Sequence, residues 1–311
     1  MSNATAESRV PWHAHRFNLL FLHRLADWGI RIFPLPLCYG VAHLWAELFW
    51  FVTPHERGAV MKNLARILGP GVSEQELRGR ARRLYHAYAL CFVDFLRCPR
   101  YKSLEEARLT YAPEHQAYFD SALAAGKGAL LVSAHLGNWE VGAALFAVQG
   151  YDMTVVVAEE DEAGVNEFIR AVRIESKVEV VVLGKSETAI LDVIRALRRN
   201  RIVAMLVDRE YGSASATVPM LGGHVRFPTG IYHLAKRTGA PVIPAFIVRE
   251  PGNRYVTECN APMLLPDTGD SRRDADTFAA SLADVFGRHI KGHPEQFFNF
   301  FPLWIEDRAV R

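Results

Sequence analysis

Apolar positions along the chain follow two regimes that change near residue 127. From Phe17 to Val52 the sequence is densely apolar and aromatic, carrying Trp28, Phe33, Tyr39, Trp45, Phe49, Trp50 and Phe51. Arg24, Asp27, Arg31 and Glu47 interrupt that run and Pro34 and Pro36 break it, so no clean stretch approaches the ~20 residues a spanning helix needs. The pattern predicts a monotopic, interfacial segment, with a buried helix pair packed on the main domain as the alternative. Glu56 to Leu68 predicts a short helix ended by Gly69-Pro70-Gly71. Ser73 followed by Glu76 is a capping box that opens a second helix running to about Leu96.

Beyond Lys127, short β-branched runs alternate with helical stretches: GALLVSA (128–134), MTVVVA (153–158), VEVVVLG (178–184), RIVAMLVD (201–208) and APVIPAFIV (240–248). Continuous apolar runs of that length are what strands covered on both faces look like. The predicted fold is therefore α/β, a mixed or largely parallel central sheet flanked by helices, with an N-terminal helical membrane-associating segment. The expected organisation is a polar tail over 1–16, a helical region over 17–100 and an α/β domain over 101–311. The segments 218–223 and 227–230 read as loops, and 264–276 as a polar loop leading into a helix.

Composition refines this picture in three ways. The chain has 311 residues, half of them hydrophobic, enough for a large core. A net charge of +2 conceals arginine clusters at Arg78, Arg80, Arg82 and Arg83 and at Arg195, Arg198, Arg199 and Arg201, which suit anionic headgroups or an acidic carrier, or else form solvated helix faces. No nucleic-acid partner is expected. Cys38, Cys91, Cys98 and Cys259 form no C-x-x-C pair, which fits a reducing compartment and argues against disulfides and zinc. The first 16 residues lack the hydrophobic core of a cleavable signal.

The sharpest chemical feature is Ser133-Ala134-His135-Leu136-Gly137-Asn138-Trp139-Glu140, set between a predicted strand and an apolar helix. Five steps on an unbroken helix turn two side chains well apart, so a pairing of His135 with Glu140 needs a bend, which Gly137 supplies. A carboxylate on one imidazole nitrogen fixes the tautomer and leaves the other nitrogen as general base toward a hydroxyl, the chemistry of O-acyl transfer. A structural histidine near a helix start is the competing reading. H-E-x-x-H is absent, which disfavours zinc, and Ser133 lacks the glycines of a nucleophile elbow. Asp208 to Gly212 falls at the carboxyl end of a predicted strand, where parallel sheets bind ligands, and Thr229-Gly230 leads into a helix whose free N–H groups suit a phosphate.

The HLGNWE segment has the H-x-x-x-x-[D/E] form of the lysophospholipid acyltransferase superfamily, and the chain resembles the late acyltransferases of lipid A biosynthesis. Arg57 with Asn63-Leu64, Asp208-Arg209-Glu210-Tyr211-Gly212, Phe227-Pro228-Thr229-Gly230 and His293-Pro294-Glu295-Gln296 extend the resemblance, in order, over most of residues 50–300. It implies His135 as catalytic base and Glu140 as its partner. It also places Arg173, with Arg170 as competitor, and Asp208 at the site. Asn138, Arg209 and Gly230 complete the expected substrate contacts. The FP segment lacks the arginine of the glycerolipid branch, which favours the lipid A-like branch. One departure stands out: the family's basic stretch after PEQ is here Phe297-Phe298-Asn299-Phe300-Phe301-Pro302-Leu303-Trp304.

The expected reaction is direct transfer of a fatty acyl group from an acyl carrier protein or acyl-CoA thioester to a glycolipid hydroxyl, a lipid A precursor first, with no metal or organic cofactor. Backbone N–H groups near Gly137, or an arginine, are expected to hold the oxyanion. The alternatives are acylation of another membrane lipid, such as a phosphatidylinositol mannoside or an amino-acid lipid, and a catalytically silent lipid-binding protein. The expected location is the cytoplasmic face of the inner membrane. An apolar groove for the acyl chain is expected to run from His135 towards the N-terminal aromatic segment.

Overall fold

The computed structural model describes residues 20–110, 113–158, 163–184, 188–210 and 214–308. The 1–16 tail, and Tyr211 and Gly212 of the segment after the fourth predicted strand, lie outside them. The apolar N-terminal run forms α1 (Leu20–Ile32) and α2 (Leu35–Val52), broken where Pro34 stands before the first turn of α2. Cys38, Ala42, Ala46 and Trp50 recur every fourth residue and are the buried stripe of α2, which packs chiefly on α4 (Glu74–Arg97). The opposite face exposes Leu37, Val41, Leu44, Trp45, Leu48 and Phe51, and α1 exposes Phe21, Leu25, Trp28 and Ile32 beside it. Pro34 sets the start of α2, but Glu47 does not cut it short: its 18 residues are apolar and long enough by length and composition to cross a membrane, although at about 1.5 Å per residue it spans about 27 Å, just under a bilayer's hydrocarbon core.

Between them α3 (Pro54–Leu68) ends at Gly69, and the Ser73 hydroxyl accepts from the Glu76 N–H at the start of α4, as the capping box predicts. The arginines of α4 have partners on neighbouring elements: Arg80 and Arg83 reach Glu295, Arg82 reaches Glu47 and Arg78 lies over the Trp50 ring. Their first job is therefore to tie α4 to α2 and to the C-terminal segment.

The chain continues through β1 (Leu109–Thr110), α5 (Pro113–Ala124), β2 (Ala129–Ser133), α6 (Trp139–Val148), β3 (Met153–Ala158), α7 (Ala163–Glu175), β4 (Glu179–Leu183), α8 (Ala189–Arg198) and β5 (Ile202–Leu206). It then forms β6 (Ser215–Met220), β7 (Gly223–Pro228), α9 (Gly230–Thr238), β8 (Val242–Glu250), β9 (Arg254–Cys259) and α10 (Ser271–Gly292). Seven strands make one sheet in the order β1-β9-β8-β2-β5-β3-β4, parallel throughout except where β8 meets β9. The five β-branched runs are β2, β3, β4, β5 and β8, at its centre and at one edge. Helices α4 to α7 cover one face and α8 to α10 the other.

The stretch read as loop around Gly222 is instead the hairpin β6–β7. Leu221 (φ 46°) and Gly222 (φ 75°) form its two-residue turn, both left-handed as such a turn demands. Buried and solvent-facing residues alternate along both strands, and the buried set packs under α10.

Candidate active site at the sheet switch point

Strands β2 and β5 are parallel neighbours in a register that sets Ser133 opposite Leu206. Two residues beyond each, His135 and Asp208 leave adjacent strand ends and meet. The imidazole Nδ1 lies 2.8 Å from Asp208 Oδ1, while the His135 backbone N–H donates to Oδ2 at 3.1 Å. After β2 the chain turns into α6 on one face, and after β5 it passes through the hairpin into α9 on the other. The cleft around His135 opens there, at the carboxyl ends of the strands, which is where open parallel sheets bind ligands.

The turn after His135 is built around Gly137. Its φ of 68° is left-handed, and a Cβ there would sit 2.0 Å from the Ile247 carbonyl oxygen on β8, so only glycine fits. Gly137 N–H donates to the Gln296 carbonyl and Asn138 N–H to the Ile247 carbonyl, which locks the turn against β8 and the C-terminal segment. Those two N–H groups, expected to be available to an oxyanion, are thereby occupied; the arginine alternative survives.

Asn138 caps α6 by accepting from Val141 N–H, and its amide donates to the Cys91 carbonyl and the Tyr255 hydroxyl. It is buried, and these bonds make it a brace of the turn at the edge of the cleft it also lines. Tyr255 in turn donates to Asp94 at 2.5 Å, as does Tyr39 of α2.

The hydrogen bond expected between His135 and Glu140 is not made. Glu140 stands in the first turn of α6, where its carboxylate receives Arg173 of α7 in a two-point contact, Nε to Oε2 at 3.0 Å and Nη2 to Oε1 at 2.5 Å. Its charge still acts on the imidazole through space. Arg170, the competitor, pairs with Glu167 on the half-exposed side of α7, outside the cleft that holds His135, whereas Arg173 lines that cleft. Gly230, the first residue of α9, lines the same cleft with open space where a side chain would lie.

Asn299 and Asn63 are the residues the sequence reading missed as site builders. Asn299 Nδ2 donates to Asp208 Oδ2 at 3.2 Å, and its Oδ1 accepts from Arg209 Nε at 2.8 Å. Asn63 of α3 donates to the Asn299 and Phe301 carbonyls and accepts from Leu303 N–H, pinning the tail that carries Asn299. The only signal was Asn63-Leu64 as a motif, which says nothing of a partner more than 230 residues away.

Electrostatics sort the two ionisable partners. Burial favours neutral Asp208, but His135 and then Arg209 outweigh it and hold the carboxyl at about 2. Burial, then Arg209, push the imidazole below its ordinary value, against the pull of Asp208 and Glu140. Near neutral pH the pair is thus a carboxylate and a neutral ring. The proton belongs on Nδ1, facing the carboxylate, and Nε2 carries the lone pair. A base with a lowered pKa stays competent as pH falls, so the acid limb of kcat/KM is expected below about 6.5, the ordinary imidazole value. Arg209→Gln removes a lowering cause and should shift that limb to higher pH. A parent limb at or above 6.5 in a pH–rate profile would contradict this assignment.

The cleft around His135 encloses about 500 Å³ and is walled mainly by apolar side chains, among them Phe92, Phe95, Phe146, Phe298 and Phe301. A His135–Asp208 pair beside an apolar cleft in a largely parallel sheet has the make-up of an enzyme whose site takes an apolar ligand. The comparisons narrow it. The family described as bacterial lipid A biosynthesis acyltransferase matches residues 11–306, and the chain belongs to it. A phosphatidylinositol mannoside acyltransferase of Mycobacterium tuberculosis (strain ATCC 25618 / H37Rv) is 30% identical over 252 residues, 79% of this chain and 76% of that protein. The protein of the same name from Mycolicibacterium smegmatis is 30% identical over 190 residues, 60% of each chain. The protein is an acyltransferase.

Proposed function

We propose that the protein moves a fatty acyl group from an acyl thioester, on an acyl carrier protein or CoA, to a sugar hydroxyl of a membrane glycolipid. The observation that carries this is the His135–Asp208 pair at the floor of the apolar cleft. His135 Nε2 takes the hydroxyl proton as the oxygen attacks the thioester carbonyl. The tetrahedral intermediate collapses with loss of the C–S bond, and the sulfur leaves as thiol after taking the proton back from the imidazolium. Asp208 supports the charged ring throughout. Arg173, held in the cleft wall by Glu140, is the group we assign to the oxyanion. A thioester is already activated, so positioning and a general base worth roughly 10²–10⁴-fold divide the task.

Two acceptors compete. A lipid A precursor follows from the family, and a phosphatidylinositol mannoside from the 30%-identical relatives. The cleft wall favours the second: Phe298, Phe300 and Phe301 line it in the stretch that is basic in the family, and Arg209 bonds Asn299 and the Phe298 carbonyl while stacking on Phe301. Aromatic walls suit a neutral mannose better than a phosphorylated glucosamine. Purified protein should be incubated with acyl-CoA or acyl carrier protein thioesters and each acceptor in turn. Mass spectrometry should find one added acyl chain on the mannoside; exclusive acylation of the lipid A precursor would reverse the ranking, and acylation of neither would reject the glycolipid reading.

We further propose that α1 and α2 lie in one leaflet of the inner membrane, at its cytoplasmic face, with the site presented to lipid headgroups. The exposed row on both helices supports this, each large apolar side chain being worth about 1.5–3 kcal/mol when removed from water. Replacing Leu44, Trp45 and Leu48 together by serine should lower the liposome partition coefficient by roughly 10²-fold or more. Unchanged partitioning in a flotation assay would count against it.

A further inference from the structure

The cleft is lined from both faces of the sheet, and we read the two linings as two apolar arms that meet at the switch point. Alternation along the strands separates them. On β3, Val155 and Val157 face the layer of α4 and α6 whereas Val156 faces that of α8 and α9; on β5, Ala204 faces the first and Met205 the second. The first arm runs under α4 and α6, past Phe95, Ala143 and Phe146, towards His23 of α1. The second runs beneath α8 and α9, walled by Val156, Leu183, Met205, Val207, Ile231 and Leu234. The first has the course expected for the transferred acyl chain, from His135 to the N-terminal helices. The reaction as written leaves the second arm unused.

Chemistry limits what fits there. The pantetheine link of a thioester donor carries two amides, and those six aliphatic side chains offer them no hydrogen-bond partner, so burying it would leave polar groups unpaired. Only another hydrocarbon chain matches such a wall, and the acceptor lipid is the other substrate that brings one. We propose that the second arm binds a hydrocarbon chain of the acceptor. Donor and acceptor chains then lie on opposite faces of the sheet, and their reacting ends meet at His135. Water, which cannot fill the second arm, gains no such placement, so transfer to lipid outruns hydrolysis of the thioester. This rests on the O-acyltransferase reading and extends it to the acceptor's tail.

The test uses the full chain with its first arm filled by a thioether analogue of palmitoyl-CoA, which cannot react. An alkyl mannoside with a diazirine at its chain end is then photolysed on the protein. Label on the α9 peptide containing Ile231 and Leu234 is expected, and label confined to the α6 peptide around Ala143 and Phe146 overturns the proposal. This readout needs no turnover, so it stands apart from failure of the enzymatic reading, which would appear as absence of transfer by the parent. In turnover, Leu234→Trp should lower kcat/KM at least 10-fold for an acceptor with a chain relative to chain-free methyl mannoside, leaving the preferred donor length unchanged. Ala143→Phe should do the reverse, shortening the preferred donor without altering the acceptor ratio. A shorter donor preference in Leu234→Trp would assign the second arm to the transferred chain and reject the proposal.

Discussion

Purified His135→Ala protein is expected to transfer acyl chains 10²- to 10⁴-fold more slowly than the parent, the range a general base contributes. Nε2 is the base the geometry offers, since Nδ1 faces Asp208. At 1.36 kcal/mol per factor of ten, the loss corresponds to about 3–5 kcal/mol of transition-state stabilisation. Folding should survive: Asp208 keeps the backbone N–H of residue 135, the Asn299 amide and the nearby Arg209 charge. Turnover measured at matched folded concentration, with thermal melts beside it, separates the two effects. Parent-like turnover would remove His135 from the mechanism even with the fold and family intact.

Asp208→Asn should fall nearly as far, by roughly 10²–10⁴-fold, whereas Glu140→Gln should retain more activity than either. The asymmetry comes from what each carboxylate touches. Asparagine at 208 can present an amide N–H to Nδ1, which moves the ring proton to Nε2 and removes the lone pair on which the reaction depends. Glutamine at 140 still offers an oxygen to Arg173 and costs the imidazolium only a through-space charge. Kinetics of both variants over pH decide it: if Glu140→Gln were the more damaged, the Glu140 charge would matter more than the Asp208 contact, either on the imidazole or through Arg173.

These assignments differ from what local sequence suggested, and the reason is geometric. Glu140 attracts notice because it lies five residues from His135, yet Gly137 and the start of α6 carry it towards α7. Asp208 lies 73 residues away but one strand over, and only the β2–β5 register makes them neighbours. The same contrast runs through the fold. Strands β2 to β5 and β8 are legible because burial on both faces leaves unbroken β-branched runs. The hairpin β6–β7 is not, because Pro219 and Pro228 argue against strands and Leu221 is no usual occupant of a left-handed turn position. The motif marks Asn138 for the site, while its bracing of the turn shows only in its three hydrogen bonds.

The C-terminal segment also orders events in time. Phe298 N–H bonds the His135 carbonyl, Asn299 holds Asp208, Asn63 grips the tail, and Trp304 is buried with its indole N–H on the Met220 carbonyl. His135 and Asp208 leave the ribosome well before Asn299 does, so the nascent chain carries both reacting side chains for some time without the frame that aligns them. The aligned pair therefore takes its final form only once Asn299 has been made and has folded back onto Asp208.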